Sequence, residues 1–212
     1  MDKRFIRIQD HYDRLKDSVF YGRDSGSIKG VVSIYEQNKK ENVKRLLNRG
    51  NNLIVYGGRE VLVERLLNAD RDSSNPHKDL FIAWVGVGNG AATVDDPFNP
   101  TLASLDNTDL ANPLIVNPSK PEYADGGKKI PVQSVSFKQD PLFDNRWLIG
   151  VVQATIAPDD IPNTMINEVG LYLSNSSVPA EASVFVLFAR YTFPSILKTD
   201  TFEVVIEWSL FF

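Results

Sequence analysis

Apolar and polar residues alternate most cleanly at the end of the chain. Phe202, Val204, Ile206, Trp208, Leu210 and Phe212 share one parity, with Glu203, Glu207 and Ser209 on the other, which predicts a strand with one face in a core. The same period runs back through earlier stretches. Phe185, Leu187, Ala189, Tyr191 and Phe193 share a parity, as do Val169, Leu171 and Leu173, while Leu148, Val152, Ala154 and Ile156 lie on one side of residues 147–157. Residues 132–139 read as a further strand. Short connections rich in Pro, Asn, Asp and Ser join these runs, as antiparallel pairing requires. The predicted fold class is mainly β: an antiparallel β-sandwich-like domain with one amphipathic helix and an N-terminal extended arm.

The helix is predicted over residues 59–68. There Leu62/Leu66 and Val63/Leu67 stand at i,i+4 spacing, after a short apolar run from Leu53 to Tyr56 and the pair Gly57-Gly58. Residues 70–79 form a polar loop, and residues 80–87 return as a strand ending in Gly88-Asn89-Gly90. Residues 91–130 follow neither period and are rich in Pro, Asn and Asp; such a stretch is expected to be a functional loop or a partner-binding excursion.

The first fifty residues differ. Residues 4–20 scatter Phe5, Ile6, Ile8, Tyr12, Leu15 and Val19 among charges, a spacing that supports a short amphipathic helix. Residues 30–35 read as a strand, and residues 42–47 as a second strand or a helical turn. The expected division is therefore residues 1–50, a partner-facing arm of strand and helix, and residues 51–212, the β-sandwich-like domain. Deleting the arm is expected to leave a folded module. The last strand runs to Phe212, so no fibre shaft is expected to continue from it, and the arm is placed at the N-terminal end.

Composition narrows the class. A chain of 212 residues with 42% hydrophobic positions can hold its own core. There is no cysteine, which excludes disulfides and thiolate metal sites. No run of 18 apolar residues and no signal-like start occurs, so no membrane partner is expected, and synthesis is expected in a cytoplasm. Residues 1–79 carry 16 Lys/Arg against 12 Asp/Glu, net +4, while residues 80–212 carry 7 against 15, net −8. The basic excess is small and interspersed with acids, so no nucleic-acid partner is expected.

Candidate chemistry is sparse. His11 and His77 lie far apart in polar contexts, with no H-x-x-x-H spacing, and read as surface residues. Asp95-Asp96 and Asp159-Asp160 do not fit a calcium loop and read as turns. The stretch from Gly86 to Ala91 matches G-x-G-x-x-(G/A), but Pro97 stops any helix that a dinucleotide site would need. No Gly-x-Ser-x-Gly elbow is present. The sequence therefore points to no cofactor, no metal and no enzyme activity.

An ordered set of motifs carries a resemblance. They are the stretch from Asn52 to Leu62 with its Gly57-Gly58-Arg59-Glu60, then Val85-Gly86-Val87-Gly88 and Glu168-Val169-Gly170-Leu171-Tyr172. Leu187-Phe188-Ala189-Arg190-Tyr191-Thr192-Phe193-Pro194, Lys198-Thr199 and Trp208 through Phe212 complete it. In this order they resemble tail-associated structural proteins of tailed bacteriophages, and the collar-like module at the virion-attached end of tail fibres. The resemblance spans about residues 51–212. It implies a virion structural protein in the tail, baseplate or fibre-attachment region, made in the host bacterial cytoplasm. It further implies an adaptor role and homo-oligomeric assembly with tail tube, baseplate, neck or fibre subunits. Arg59, Trp84, Arg190, Trp208 and Phe212 are its candidate assembly-interface residues. Gly170 is expected where a neighbour crowds the sheet, and Arg190, on the parity opposite its apolar neighbours, where a carboxylate of an adjacent strand or subunit is in reach. The alternatives are a neck or collar protein at the head–tail junction and a host-carbohydrate binding module using Trp84, Trp147 and Tyr123.

Overall fold

The computed structural model describes residues 29–38, 43–66, 77, 79–139 and 148–211. The alternating stretches form antiparallel strands: β1 (Lys29–Asn38), β2 (Val43–Ile54), β3 (Phe81–Gly88), β4 (Lys129–Pro131), β5 (Ser134–Gln139), β6 (Leu148–Ile156), β7 (Thr164–Ser174), β8 (Phe185–Lys198) and β9 (Glu203–Phe211). One α-helix, α1 (Tyr56–Leu66), follows β2. The strand order is β4-β3-β7-β8-β2-β1-β9-β6-β5.

Two stretches change partners and so curl the sheet. Residues 43–52 of β2 pair with β1, whereas Leu53 and Ile54 pair with Arg190 and Ala189 of β8. Residues 129–139 do the same at the other side. β4 lies on β3, Val132 donates to the Ala83 carbonyl at 2.9 Å, Gln133 to the Gln153 carbonyl at 2.8 Å, and β5 continues on β6. The two ends of the strand order are thus one piece of chain. The result is a sandwich-like fold of two layers joined at both corners by strands that switch sheets.

Both layers feed one core. Val32, Ile34, Val152, Ala154, Ile156, Val204, Ile206, Trp208 and Leu210 from one layer meet Val85, Val87, Ile166, Val169, Leu171, Ala189 and Phe193 from the other. Burying each such aliphatic or aromatic side chain contributes roughly 1.5–3 kcal/mol, which is what the alternation in β9 encodes.

Three expectations change. The boundary at residue 50 falls inside β2, and β1 lies between β2 and β9 with Val31, Val32 and Ile34 buried. Residues 30–38 and 43–50 therefore belong to the paired strands of the sandwich, and Val32 and Ile34 of β1 complete its core. Deleting residues 1–50 would remove β1 and most of β2, so the truncated chain is expected to lose the fold. The amphipathic stretch at residues 4–20, with His11, lies outside the described residues. Second, β8 does not keep one parity. Leu171 pairs with Ala189 but Tyr172 pairs with Leu187, so Phe188 is a bulge. Phe185 and Leu187 accordingly face a second apolar cluster with Trp84, Leu110 and Tyr172, while Ala189, Tyr191 and Phe193 face the main core. Third, α1 begins at Tyr56, and Val61 and Leu62 pack inward whereas Val63 is exposed. Gly58 decides this orientation: a Cβ there would lie 2.4 Å from the Phe188 carbonyl oxygen, so the helix sits directly on the bulge.

Candidate functional site

Strand β7 is buried on both faces, because residues 91–130 lie over the outer side of β3, β7 and β8. The loop adds an outer rung to the sheet: Gly88 bridges Pro113, Leu114 donates to the Val87 carbonyl at 2.9 Å, and Asn89 donates to the Asn112 carbonyl at 3.2 Å. Polar residues on the outward parity of β7 then become internal, and they hold the loop.

Glu168 is the centre of this arrangement and has no solvent exposure. Its Oε1 accepts from the backbone N–H groups of Gly90 at 3.0 Å and Asn112 at 2.9 Å. Its Oε2 accepts from Ala111 N–H at 3.0 Å, and from Arg190 Nε at 3.0 Å and Nη2 at 2.5 Å. Arg190 completes itself by donating from Nη1 to Asn107 Oδ1 at 2.8 Å. A buried ion pair is tolerable only when its remaining lone pairs and protons are also satisfied, and here the loop backbone supplies that satisfaction. Asn167 works beside it, accepting from Ala91 N–H at 2.9 Å and donating to the Asn89 carbonyl at 3.2 Å.

Glycines make the room. Gly88 pairs with Glu168, and Gly86 with Gly170. A Cβ at Gly88 would stand 2.5 Å from Glu168 Oε1, and one at Gly170 would stand 2.9 Å from both Leu187 Cδ1 and Tyr172 Cε2. The crowding expected at Gly170 is therefore present. Tyr172 covers this flat patch and donates its hydroxyl proton to Asp109. Burial and the Asp109 carboxylate raise the Tyr172 pKa, which keeps the phenol protonated. Lys129 Nζ lies 3.6 Å from the centre of the Tyr172 ring. Burial lowers the Lys129 pKa.

A second buried carboxylate, Asp160, fastens the far part of the loop. It accepts from Asn117 Nδ2 at 3.0 Å, Tyr123 OH at 2.5 Å, Ala157 N–H at 3.1 Å and Lys120 Nζ at 2.9 Å. Burial alone would raise its pKa, but the bonds from Lys120, Tyr123 and Asn117 outweigh that and hold it below the ordinary value. Lys198, also buried, donates to the Pro158 carbonyl at 3.0 Å and to the Thr199 carbonyl.

The candidate interface residues take separate places. Arg59 is exposed on α1 and donates to the Ile54 carbonyl at 3.0 Å. Trp84 is buried, its indole N–H donating to the Ser176 carbonyl at 2.9 Å. Trp208 is buried in the main core, and its N–H finds no partner among the described residues. Arg190 meets the carboxylate of an adjacent strand within the same chain. Phe212 lies outside the described residues, as does Trp147. His77 is paired with Glu64 at 2.9 Å. Asp96 sits in a turn, accepting from Asn99 at 2.8 Å.

Sequence reasoning found Arg190 and Gly170 but missed Glu168, Asn167 and Asp160 as anchors. Glu168 stands on the polar parity of a strand whose cover comes from far away in sequence, Asn167 stands on the apolar parity at a break in the β7–β8 register between Ile166 and Glu168, and Asp160 looks like any turn aspartate. Among the described residues there is no cluster of three or more His, Asp or Glu placed to hold a metal ion, and no helix long and apolar enough to cross a membrane. No protein-family model matches the chain, and comparisons with curated proteins and with solved structures likewise find no match.

Proposed function

We propose that this chain is a structural subunit of a tailed-bacteriophage particle, assembling in the tail, baseplate or fibre-attachment region as an adaptor. The observation that carries the reading is the saturation of Glu168. Five hydrogen bonds occupy its two oxygens, and its charged partner among the described residues is Arg190. A carboxylate so engaged has no lone pair left to take a proton from a substrate, so its work is to hold shape.

Four of the motifs that resemble tail-associated proteins, within residues 52–62, 85–88, 168–172 and 187–194, meet at this place. Gly88, Glu168, Gly170, Tyr172 and Arg190 form the lock, while Gly58 rests on Phe188 beside it. They read as parts of a scaffold that presents a fixed loop. The carbohydrate-binding alternative draws no support from Trp84, which is buried, or from Tyr123, whose hydroxyl is engaged by Asp160.

Immunogold electron microscopy of purified phage particles, with an antibody raised against this chain, tests the proposal. Label at the baseplate or fibre roots is the expected result. Label at the head–tail junction would move the role to the neck. Particles without label, from cells in which the protein is abundant, would overturn the structural reading.

A further inference from the structure

The layer made by β1, β9 and β6 is dry on both sides. Val32 and Ile34 of β1, Trp208 and Leu210 of β9 and Val152 of β6 point into the core, so the residues between them point outward. On that outward side Val31 and Val151 flank Ser209, Ile149 lies beside Phe211, and Tyr35 beside Val205. Val31, Val205, Val151 and Ile149 are 2%, 1%, 8% and 7% exposed, and Ser33 is buried among them. These four apolar residues belong to neither of the two clusters that the described residues form. An antiparallel sheet face open to water carries wet, polar side chains, whereas this one is apolar and covered. The burial holds within a single chain, so the cover belongs to the same chain.

One segment fits the place. Residues 1–28 lead directly into β1, at the end of the face where Phe211 and Ile149 stand. Residues 39–42 only turn from β1 to β2, and residues 140–147 are tethered at both ends between β5 and β6, too short to reach Val205. The stretch between α1 and β3 serves the other layer. Within residues 1–28, Phe5, Ile8, Tyr12, Leu15 and Val19 recur at spacings of three and four, which predicts one apolar stripe along a helix. Lys3, Arg7, Asp10, Arg14 and Asp17 fall on its opposite side. From Phe5 to Val19 such a helix is about 21 Å long. The outward row of β9 from Val205 to Phe211 runs about 20 Å. Gly22 and Gly26, with Ser25 and Ser27, give the chain between stripe and β1 the freedom to turn back.

We infer that residues 4–20 seat as a helix on the outward face of β1, β9 and β6 of their own chain, with the Phe5-to-Val19 stripe against Val31, Val151, Val205 and Ile149. The segment expected to reach for a partner is then held by its own sheet. The inference goes beyond the virion reading and holds whether or not the chain is found in particles. Exchange of the segment between two copies is the competing occupancy, and the test separates it.

The chain has no cysteine, so introduced thiols report without background. In the full chain Val31→Cys is expected to react slowly with iodoacetamide. Adding Ile8→Asp and Leu15→Asp should speed that reaction about a hundredfold or more, since two aliphatic side chains no longer hold the segment down. Ala189→Cys, buried in the main core, reads global unfolding and should stay slow in both backgrounds. Tyr12→Cys paired with Ser209→Cys, at the middle of stripe and face, should be bridged within one chain by a short bis-maleimide, at a rate independent of protein concentration. Asp10→Cys paired with Ser209→Cys should not be bridged. A Val31→Cys thiol that reacts at the same rate with and without the two aspartates would overturn the inference. So would equal bridging from residues 10 and 12, or a bridge that joins two chains, which assigns the seat to the segment of a second copy. If Ala189→Cys also reacts faster in the aspartate background, those substitutions have unfolded the chain and the bridging pair alone decides.

Discussion

Glu168 and Asp160 are both carboxylates without solvent exposure, and both fasten the same long loop to the sheet, but they hold it differently. Glu168 is gripped by three backbone N–H groups and an arginine, at a strand position where the neighbouring Gly88 leaves space. Asp160 is gripped mainly by side chains, those of Lys120, Tyr123 and Asn117. Lys120 is still partly exposed, with 21% of its side chain accessible. The first arrangement is tied to strand register and has no slack; the second can rearrange. A carboxylate that organises backbone is therefore expected to act as an all-or-none part of the fold, and one that organises side chains as a local latch.

Removing Glu168 should give the largest effect. Glu168→Ala leaves Arg190 as a buried charge without its carboxylate and strips three loop amides of their acceptor. Loss of one partner of a buried pair costs about 3–5 kcal/mol. Denaturant unfolding measures it, and native-state hydrogen exchange at residues 89–112 should rise with it. A further change, Arg190→Met in the Glu168→Ala background, should recover part of the loss by removing the orphaned charge. No recovery would mean that the backbone bonds, not the ion pair, carry the stability.

How much of this the sequence reveals depends on whether a residue's surroundings are local. The alternation in β9 is a property of the strand itself, and Phe202 to Leu210 read correctly. The parity of β8 is not, because the bulge at Phe188 appears only when β8 is set against β7. Gly170 and Arg190 stood out as breaks in an apolar pattern. Glu168 did not: polar on the outward parity is what a solvated face looks like, and the cover comes from residues 107–112, far away in sequence. For the first fifty residues, charge among scattered apolar positions suggested an arm, while the pairing of β1 with β9 is a contact between the two ends of the chain that no local period encodes.

Gly88→Ala sharpens the comparison at smaller cost. The added Cβ would meet Glu168 Oε1 at 2.5 Å and the Asn112 carbonyl oxygen at 2.7 Å, and the latter is backbone that cannot swing away. Roughly 1–3 kcal/mol of destabilisation is expected, the usual range for overpacking. The same measurement on Gly126→Ala serves as a control of a different kind. A Cβ there meets nothing within 4 Å, so any loss comes only from its left-handed φ of 62°. Equal losses at both glycines would argue that the space beside Glu168 is not limiting.

Asp160→Asn should cost less than Glu168→Ala, about 1–2 kcal/mol, because the amide keeps an acceptor and the side chains around it can turn. Hydrogen exchange should then rise only near residues 117–124 and 157–160. An effect reaching residues 89–112 would break the distinction between lock and latch.

The smallest expected effect is the pH dependence of that latch. The folded state holds the Asp160 pKa below its ordinary 3.8, so the folded state binds its proton less readily than the unfolded chain. Its contribution is then fully present above the unfolded value and is lost as pH falls through the folded one. Lys120 shows the mirror image. Burial pulls its pKa down, the Asp160 hydrogen bond and charge overcome that, and the net shift is upward from 10.5. Its contribution is present below the unfolded value and lost as pH rises through the folded one. The stability gap between the unmodified chain and Asp160→Asn should therefore be flat near neutrality and narrow in acid below about pH 4. The gap to Lys120→Met should narrow only in strong base. Lys198, whose pKa burial lowers, tilts the alkaline baseline the other way, so the differences between variants carry the test and not the raw curves. A gap that closes already near neutral pH would mean that Asp160 is not held as an ion by Lys120, Tyr123 and Asn117.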